Sequence, residues 1–400
     1  MAVGSWQSGA VRIDSREVQA GDLFVGLAGE NVDGSAFARQ ALDAGAWGVV
    51  VREGSGLEGN VFEVPDPLAE LQRLAREWRR ELGCPAIGIA GSTGKTSTKD
   101  ILAAMLRPAK RVHATPENWN TEIGLPLTIL AAKRGTEVLV LEMAMRGEGQ
   151  VAELARTAAP QVGLVLNVGP EHLELLGTVE RVAATNAELI AELPADGTAV
   201  LPAAEPLLEP YRRADIDTVT FGPGGDVTEA DLAALELPFT EPHNILNACA
   251  ALACARAVGV DPSGPIDVEF SKLRGEEVEL PGGVTVVLDC YNANPMSMRA
   301  ALENLASAPA ARRIAVLGGM LELGEESARY HREAGEQAGE SDILITVGEL
   351  AIGYLDGYDG EHYSVATPEE AGALLDEVSE AGDRVLLKGS RGIGLERVLG

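Results

Sequence analysis

Short apolar runs alternate with amphipathic helical stretches along the whole chain, and this alternation predicts an α/β protein. The first elements are the runs LFVGL at 23–27 and WGVVV at 47–51 and the helical stretch at 67–82. Gly83, Cys84 and Pro85 then interrupt the pattern just before the apolar run AIGIA at 86–90. Because glycine and proline break regular elements, the pattern predicts a small α/β domain over residues 1–83.

Two further α/β segments follow the interruption. In the first, the predicted strands are 86–90, 137–142 and 162–167, and the predicted helices are 95–106, 147–157, 179–192 and 243–258. In the second, the predicted strands are 284–289, 313–318, 342–348 and 384–389. Strands separated by helices favour parallel sheets covered on both faces. We therefore expect a central domain over 84–271 and a C-terminal domain over 272–400.

Composition narrows the possible partners and the cellular compartment. The chain has 61 acidic and 32 basic residues and a net charge of -29, so its field repels nucleic acid. Its four cysteines lack CxxC spacing and the density of a disulfide scaffold, which indicates reduced thiols. The first residues contain no apolar leader, and no apolar run reaches the roughly 20 residues that span a bilayer. We expect a cytoplasmic protein without membrane insertion.

A phosphate-binding loop is predicted where the first central strand meets a helix. The segment GSTGKTST at 91–98 supplies glycines that let backbone N–H groups approach phosphate, a lysine for the outer phosphates and a hydroxyl for magnesium. The predicted nucleotide-binding residues are Gly91, Ser92, Thr93, Gly94, Lys95, Thr96 and Ser97. The alternative is an ordinary glycine-rich turn. Ile89 departs from the strict pattern, which has glycine there, and favours a shorter type of loop.

This loop resembles the nucleotide loop of the Mur ligase family, whose members join an amine to a nucleotide-linked carboxylate. Further segments resemble the family in order along the chain: 13–34, 115–126, 141–150, 167–178, 243–253, 291–302 and 316–324. The last two resemble the members that add D-alanyl-D-alanine. The resemblance implies an ATP- and magnesium-dependent amide ligase of peptidoglycan precursor synthesis, acting as a monomer on UDP-N-acetylmuramoyl-tripeptide and D-alanyl-D-alanine through an acyl phosphate.

The resemblance also implies the domain types and the residue roles. The domains would be a small α/β UDP-binding domain, a central P-loop ATPase-type parallel sheet and a C-terminal Rossmann-like domain for the dipeptide. Lys95, Glu142 and His172 would be catalytic, with Thr96, Glu142 and His172 as magnesium ligands. The other expected contacts are Asn244 and Asn247 with adenine, Arg274 with the ATP phosphates, Asp289 with ribose, Ser15 and Arg16 with UDP, and Asn292, Asn294, Lys388, Ser390 and Arg391 with the dipeptide and phosphate.

Simpler interpretations of single residues stay open at this point. Glu142 could be a strand-end acid in solvent, and His172 a structural loop residue. Asn244 could cap its helix. Arg274 and Asp289 could form ordinary interdomain salt bridges, and Ser15 with Arg16 could be plain surface.

The sequence departs from the family pattern at several positions. Asn186 stands where a lysine, carbamylated to bind a second magnesium, is usual, and a neutral amide offers no anionic oxygen pair. Leu288 and Gly319 replace common acids, and the stretch before Asp14 is short. These departures support a rival hypothesis, a nucleotide-binding paralogue that acts as a regulator or scaffold. A second rival is a sister ligase that adds the third amino acid or extends folate with glutamate.

Overall fold

The structure is a computed structural model that describes residues 9–29 and 32–400. Residues 1–8, which are part of the segment expected to lack an apolar leader, and residues 30–31, within the family-like segment at 13–34, lie outside the described residues. The predicted fold class is confirmed, because α/β units with largely parallel sheets follow one another along the chain. No helix within 9–29 and 32–400 combines the length and apolar character needed to cross a bilayer.

The N-terminal unit is a parallel sheet with helices. Its elements are β1 (Val11–Arg12), β2 (Leu23–Val25), α1 (Ala38–Asp43), β3 (Gly48–Arg52), β4 (Val61–Val64) and α2 (Pro67–Leu82). The strands lie in the order β1-β2-β3-β4. Asp66 starts α2 by accepting from two backbone N–H groups, and Gly83 ends it in the left-handed region at φ 63°. Arg79 of α2 donates to the carbonyl of Ala158 at 2.8 Å, so this helix also packs on the central unit.

The central unit carries a parallel sheet in the order β10-β9-β8-β5-β7-β6. Its strands are β5 (Ala86–Ala90), β6 (Val112–Ala114), β7 (Val138–Glu142), β8 (Val162–Val165), β9 (Thr198–Pro202) and β10 (Asp217–Phe221), followed by the short pair β11 (Leu235–Glu236) and β12 (Gly264–Pro265). Its helices are α3 (Lys95–Leu106), α4 (Gly124–Ala131), α5 (Gln150–Ala158), α6 (Leu173–Leu176), α7 (Val179–Ala191) and α8 (Pro242–Ala257). The carboxyl ends of β5, β7 and β8 meet at one edge, where parallel sheets usually bind ligands.

The C-terminal unit has a mixed sheet in the order β13-β14-β18-β15-β16-β17. Its elements are β13 (Glu276–Leu280), β14 (Val284–Asp289), α9 (Pro295–Ser307), β15 (Arg313–Gly318), α10 (Ser327–Gln337), β16 (Ile343–Val347), β17 (Glu361–Val365), α11 (Pro368–Val378) and β18 (Arg384–Lys388). Only β13 among these strands pairs antiparallel, with β14. Its polar sequence EEVEL gives no apolar run, so the pattern did not predict it. The domain boundaries at 83 and 271 stay predictions.

A buried histidine supports the loop that follows β15. His331 is 0% exposed, and its Nε2 accepts from the backbone N–H of Met320 at 3.0 Å. Its Nδ1 donates to the carbonyl of Ser327 at 2.7 Å. Tyr354 packs on the same ring and donates to the carbonyl of Gly318 at 2.9 Å. The neutral imidazole is the form that satisfies both backbone groups.

Acidification is therefore expected to destabilise the C-terminal unit. Burial lowers the pKa of His331 below its usual 6.5. As pH falls below 6.5, His331 binds a proton in the unfolded chain but not in the folded chain. The free energy of unfolding therefore decreases by at most about 1.4 kcal/mol per pH unit. In His331→Gln, thermal unfolding followed by circular dichroism should depend less on pH between 7.5 and 5.5.

The exposed His362→Gln is the matched control and should keep the wild-type pH dependence. Burial also lowers the pKa of His113 and His243, and both remain in every variant, so the slope should decrease without vanishing. An unchanged slope in His331→Gln would show that His331 does not contribute.

Candidate active site

A cleft of about 1260 Å³ lies between the central and C-terminal units. The predicted site residues that line it are Ser92, Thr93, Gly94, Lys95, Thr96, Ser97, Glu142, His172, Asn244, Asn247, Arg274, Asp289, Asn292, Asn294, Lys388, Ser390 and Arg391. Gly91, which immediately follows β5, is not among the lining residues. Ser15 and Arg16 are not among the lining residues. The structure therefore gathers the nucleotide, metal and dipeptide candidates at one place, apart from the two uridine candidates.

The phosphate loop has the backbone that its sequence predicts. Gly91 and Gly94 have φ angles of 129° and 81°, which other residues rarely adopt. A Cβ on Gly94 would lie 2.8 Å from Oδ1 of Asn247, so a side chain at this position would displace the Asn247 amide. α3 begins at Lys95, and its first N–H groups and positive dipole end border the cleft. Lys95 Nζ donates to the carbonyl of Gly91 at 2.5 Å.

Glu142 ends β7 beside the phosphate loop and is 1% exposed, so the interpretation as a strand-end acid in solvent is wrong. Its Oε1 accepts from Thr96 Oγ1 at 3.1 Å and from Asn120 Nδ2 at 2.7 Å. Its Oε2 is buried and finds no hydrogen-bond partner among the described residues. An unmatched buried carboxylate oxygen next to a hydroxyl is the oxygen chemistry that magnesium prefers. Thr96 and Glu142 therefore fit a magnesium ion.

Within the described ranges, no group of three or more His, Cys, Asp or Glu residues forms a ready-made metal site. Magnesium usually takes one or two carboxylates together with waters and substrate phosphates, rather than a cage of protein ligands. The pair Thr96 and Glu142 corresponds to that mode of binding.

The C-terminal unit contacts the phosphate loop through two side chains. Arg274 Nη2 donates to Thr96 Oγ1 at 3.3 Å, and its guanidinium lies 4.2 Å from the ring centre of Tyr291. Asn294 starts α9 by accepting from Ser297 N, and its Nδ2 donates to the carbonyl of Ser92 at 3.2 Å. Arg274 thus brings a cation to the place where phosphates would lie. Asn294 joins the two units, and both ends of its amide already have a partner.

The other C-terminal candidates already have partners within their own unit. Lys388 is 1% exposed and donates to Asp289 Oδ2 at 2.7 Å, so Asp289 forms a salt bridge within one unit and not between units. Ser390 Oγ accepts from Leu321 N at 3.0 Å. Arg391 is exposed and pairs with Glu396 at 2.8 Å. Asn292 Oδ1 accepts from the next backbone N–H at 2.9 Å.

Helix α8, whose asparagines are predicted to contact adenine, does not use Asn244 as its N-cap. Glu241 occupies the N-cap of α8, and Asn244 lies inside the first turn, so Asn244 is not the cap. Asn247 Nδ2 donates to Asn244 Oδ1 at 3.5 Å.

The uridine candidate Ser15 lies in the N-terminal unit, where its Oγ donates to Gln40 Oε1 at 3.1 Å.

The uridine candidate Arg16 is exposed and paired. Its guanidinium bonds to Asp14 and lowers the pKa of that carboxyl to about 2. A paired but exposed arginine can exchange its partner for an anionic ligand at little cost, because solvent-exposed ion pairs contribute little. The UDP role of Ser15 and Arg16 stays a prediction.

Family models match most of this chain. They are the Mur ligase family catalytic domain over residues 9–75, the Mur ligase middle domain over 89–255, and the glutamate ligase domain of Mur ligases over 273–391. A Synechocystis protein named UDP-N-acetylmuramoyl-tripeptide–D-alanyl-D-alanine ligase is 37% identical over 96% of this chain and 90% of the relative. The chain belongs to the Mur ligase family.

Other Mur ligases extend the comparison. A Bacillus subtilis protein of the same name is 35% identical over 97% of this chain and 92% of the relative. The solved structure of MurF from Thermotoga maritima in complex with ADP has a TM-score of 0.89 and 32% identity, and covers 99% of this chain and 97% of that one. MurF from Acinetobacter baumannii also has a TM-score of 0.89, with 27% identity, 98% of this chain and 92% of that one covered.

In this Mur ligase, sequence reasoning missed several cleft residues. Asn120 lies inside the family-like segment 115–126, but nothing in the segment indicated that its amide would hold Glu142. Glu171 immediately precedes His172 and is buried. Glu322, in the segment 316–324, contacts His172 Nδ1 from the C-terminal unit. Their roles depend on long-range contacts, which a local pattern does not reveal.

Proposed function

We propose that this chain is an ATP-dependent ligase that adds D-alanyl-D-alanine to UDP-N-acetylmuramoyl-tripeptide in peptidoglycan precursor synthesis. The observation that carries the proposal is the convergence of Lys95, Thr96, Glu142 and Arg274 on one cleft, in a chain 37% identical to a ligase of that name. A relative of the same fold is solved with ADP, which supports adenine-nucleotide binding here.

The reaction requires a carboxylate to become an acyl electrophile at neutral pH. A carboxylate oxygen of the tripeptide attacks the γ-phosphorus of ATP, the bond to the β-phosphate oxygen breaks, and ADP leaves. The dipeptide amine then attacks the acyl carbon of the resulting acyl phosphate. Phosphate departs as the amide forms, and the amine loses a proton. Positioning and charge neutralisation dominate such phosphoryl transfers.

The cleft supplies the charges that these steps need. Lys95 from the central unit and Arg274 from the C-terminal unit would neutralise the phosphate oxygens beside Thr96. Thr96 and Glu142 would hold magnesium, which offsets the negative charge that collects on the transferring group. We assign His172 to the same metal region. Burial of Glu142 limits competition from water for these positions.

The remaining assignments follow from position. Asn244 and Asn247 border the nucleotide side of the cleft. Asn292, Ser390 and Arg391 border the C-terminal side, where the dipeptide would enter. We propose that one chain suffices, since the cleft is built from the described residues of a single chain. Because the reaction consumes ATP, we place it in the cytoplasm.

A phosphate-release assay tests the proposal and its rivals. With ATP, magnesium, UDP-N-acetylmuramoyl-tripeptide and D-alanyl-D-alanine, we expect release that requires both the tripeptide and the dipeptide. A regulator or scaffold would release no phosphate that depends on both. A sister ligase would respond instead when the tripeptide is replaced by its dipeptide precursor and the amine by diaminopimelate or lysine, or when folate and glutamate are supplied. Either result would contradict the proposal.

A further inference from the structure

The loop after β8 places an acidic side chain, Glu171, at the wall of the cleft. Glu171 is 7% exposed. Among the described residues, its carboxylate has one long hydrogen bond, at 3.5 Å from Asn186 Nδ2, and two ion contacts at 3.9 Å, with Lys95 Nζ and His172 Nε2. Buried carboxylates usually have closer partners, because leaving water is unfavourable for a charge. Glu171 therefore retains acceptor capacity that faces the phosphate-loop lysine.

The ring of His172 provides a second acceptor, Nε2, near the carboxylate of Glu171. Its Nδ1 contacts the carboxylate of Glu322, which can only accept, so Nδ1 carries a proton. In the neutral ring, Nε2 then holds the lone pair, 3.9 Å from Glu171 Oε2. A carboxylate that fixes the tautomer of an imidazole in this way is the usual surrounding of a metal-binding histidine. Two acceptors that face each other at this distance favour a cation between them.

Glu142, which also lines the cleft, has an unmatched oxygen that likewise favours bound cations. Glu142 Oε2 is buried and has no partner in the described part of the chain. A triphosphate bound beside Glu142 and Glu171 would be repelled by both carboxylates unless divalent cations lay between them. The 3.9 Å between Glu171 Oε2 and His172 Nε2 is shorter than about 4.2 Å, the largest separation of two ligands that each lie about 2.1 Å from one magnesium, so a single ion can reach both atoms.

The family resemblance already implies a second magnesium beside His172, at a site where a lysine is usual and this chain has Asn186. We propose that Glu171 takes over the missing anionic role and binds this second cation directly, apart from the one at Thr96 and Glu142. Glu322 orients His172 for it and is a positioning residue. Asn186 is a positioning residue too: its Oδ1 accepts from Gly91 N at 2.8 Å and its Nδ2 faces Glu171. The anionic oxygens that the neutral Asn186 lacks are supplied by Glu171. The inference rests on the proposed function, because the cation binds together with the nucleotide.

Manganese titration of the full chain tests this site. Electron paramagnetic resonance counts Mn²⁺ bound in the presence of β,γ-methylene-ATP, which cannot transfer its γ-phosphate to the tripeptide. The wild type should bind two Mn²⁺ per chain. Glu171→Gln should bind the second Mn²⁺ at least about ten-fold more weakly. Glu174→Gln removes an exposed carboxylate three residues further along the chain, in α6, and should bind both as the wild type does.

Nucleotide binding, measured by calorimetry on the same samples, separates the two possible failures. Two Mn²⁺ at wild-type affinity in Glu171→Gln, or one Mn²⁺ in a nucleotide-bound wild type, would overturn the inference and leave the proposed function standing. Absence of nucleotide binding by the wild type would contradict the proposed function itself. If glutamine at this buried position prevents folding, Glu171→Asp decides: its shorter reach should weaken the second Mn²⁺, and wild-type affinity there would overturn the inference.

Discussion

Replacement of Lys95 by alanine is expected to lower kcat for phosphate release by about a thousand-fold or more. The ammonium group lies at the start of α3, where it would meet the charge that develops on the transferring phosphoryl group. Fixed cations in this role contribute about 10³-fold or more to the rate. The fold should persist, because alanine is the best helix former and a cation at a helix N-terminus opposes the helix dipole.

The experiment compares Lys95→Ala with Lys133→Ala, an exposed lysine of the same unit. Steady-state phosphate release should collapse in the first variant and stay normal in the second. Circular dichroism melts should be similar in both. Activity of Lys95→Ala within ten-fold of the wild type would refute the assignment of the phosphate loop.

Replacement of Glu142 by glutamine is expected to separate activity from stability. The amide oxygen can still accept from Thr96 and Asn120, but the buried charge with its unmatched oxygen is removed. Because an unpaired buried charge is destabilising, the melting temperature without nucleotide should stay the same or rise. Phosphate release should fall by about 100-fold or more, since an amide is a poor ligand for magnesium.

Melting in the presence of ADP, with and without magnesium, gives the second readout for Glu142. Ligand that binds the native state raises the melting temperature, so magnesium should add stability to the ADP complex of the wild type and less to that of Glu142→Gln. The control Glu148→Gln removes an exposed carboxylate that lies 3.8 Å from Arg181, and should behave as the wild type. A lower melting temperature with full activity in Glu142→Gln would rule out the metal role.

Much of the architecture was predictable because strand and helix patterns are local. The helix predicted at 95–106 and the strands predicted at 284–289 and 313–318 match α3, β14 and β15 residue for residue. Strand β13 was missed because an exposed edge strand needs few apolar residues. Strands β9 and β10 were missed because their short runs contain threonine, proline and aspartate.

The side-chain partners were less predictable. Lys388 was assigned to the dipeptide side, yet the fold buries it against Asp289, 99 residues away in sequence. Asn294 was assigned there as well, but it caps α9 and holds Ser92, which is 202 residues away. The first contact requires two strands of the C-terminal sheet to pair, and the second requires two units to meet. Single-residue chemistry does not say which of several available partners is chosen.

The sequence by itself determined the phosphate loop, since strand, glycines, lysine and helix start are contiguous and their backbone geometry depends on neighbours in the chain. Ordered motifs along the chain likewise determined the family. Only the tertiary structure decided that Arg274 reaches Thr96, that Glu142 keeps an unmatched oxygen, and that Glu171 and Glu322 flank His172. These arrangements depend on how separate units pack, and side-chain burial and charge pairing are properties of that packing.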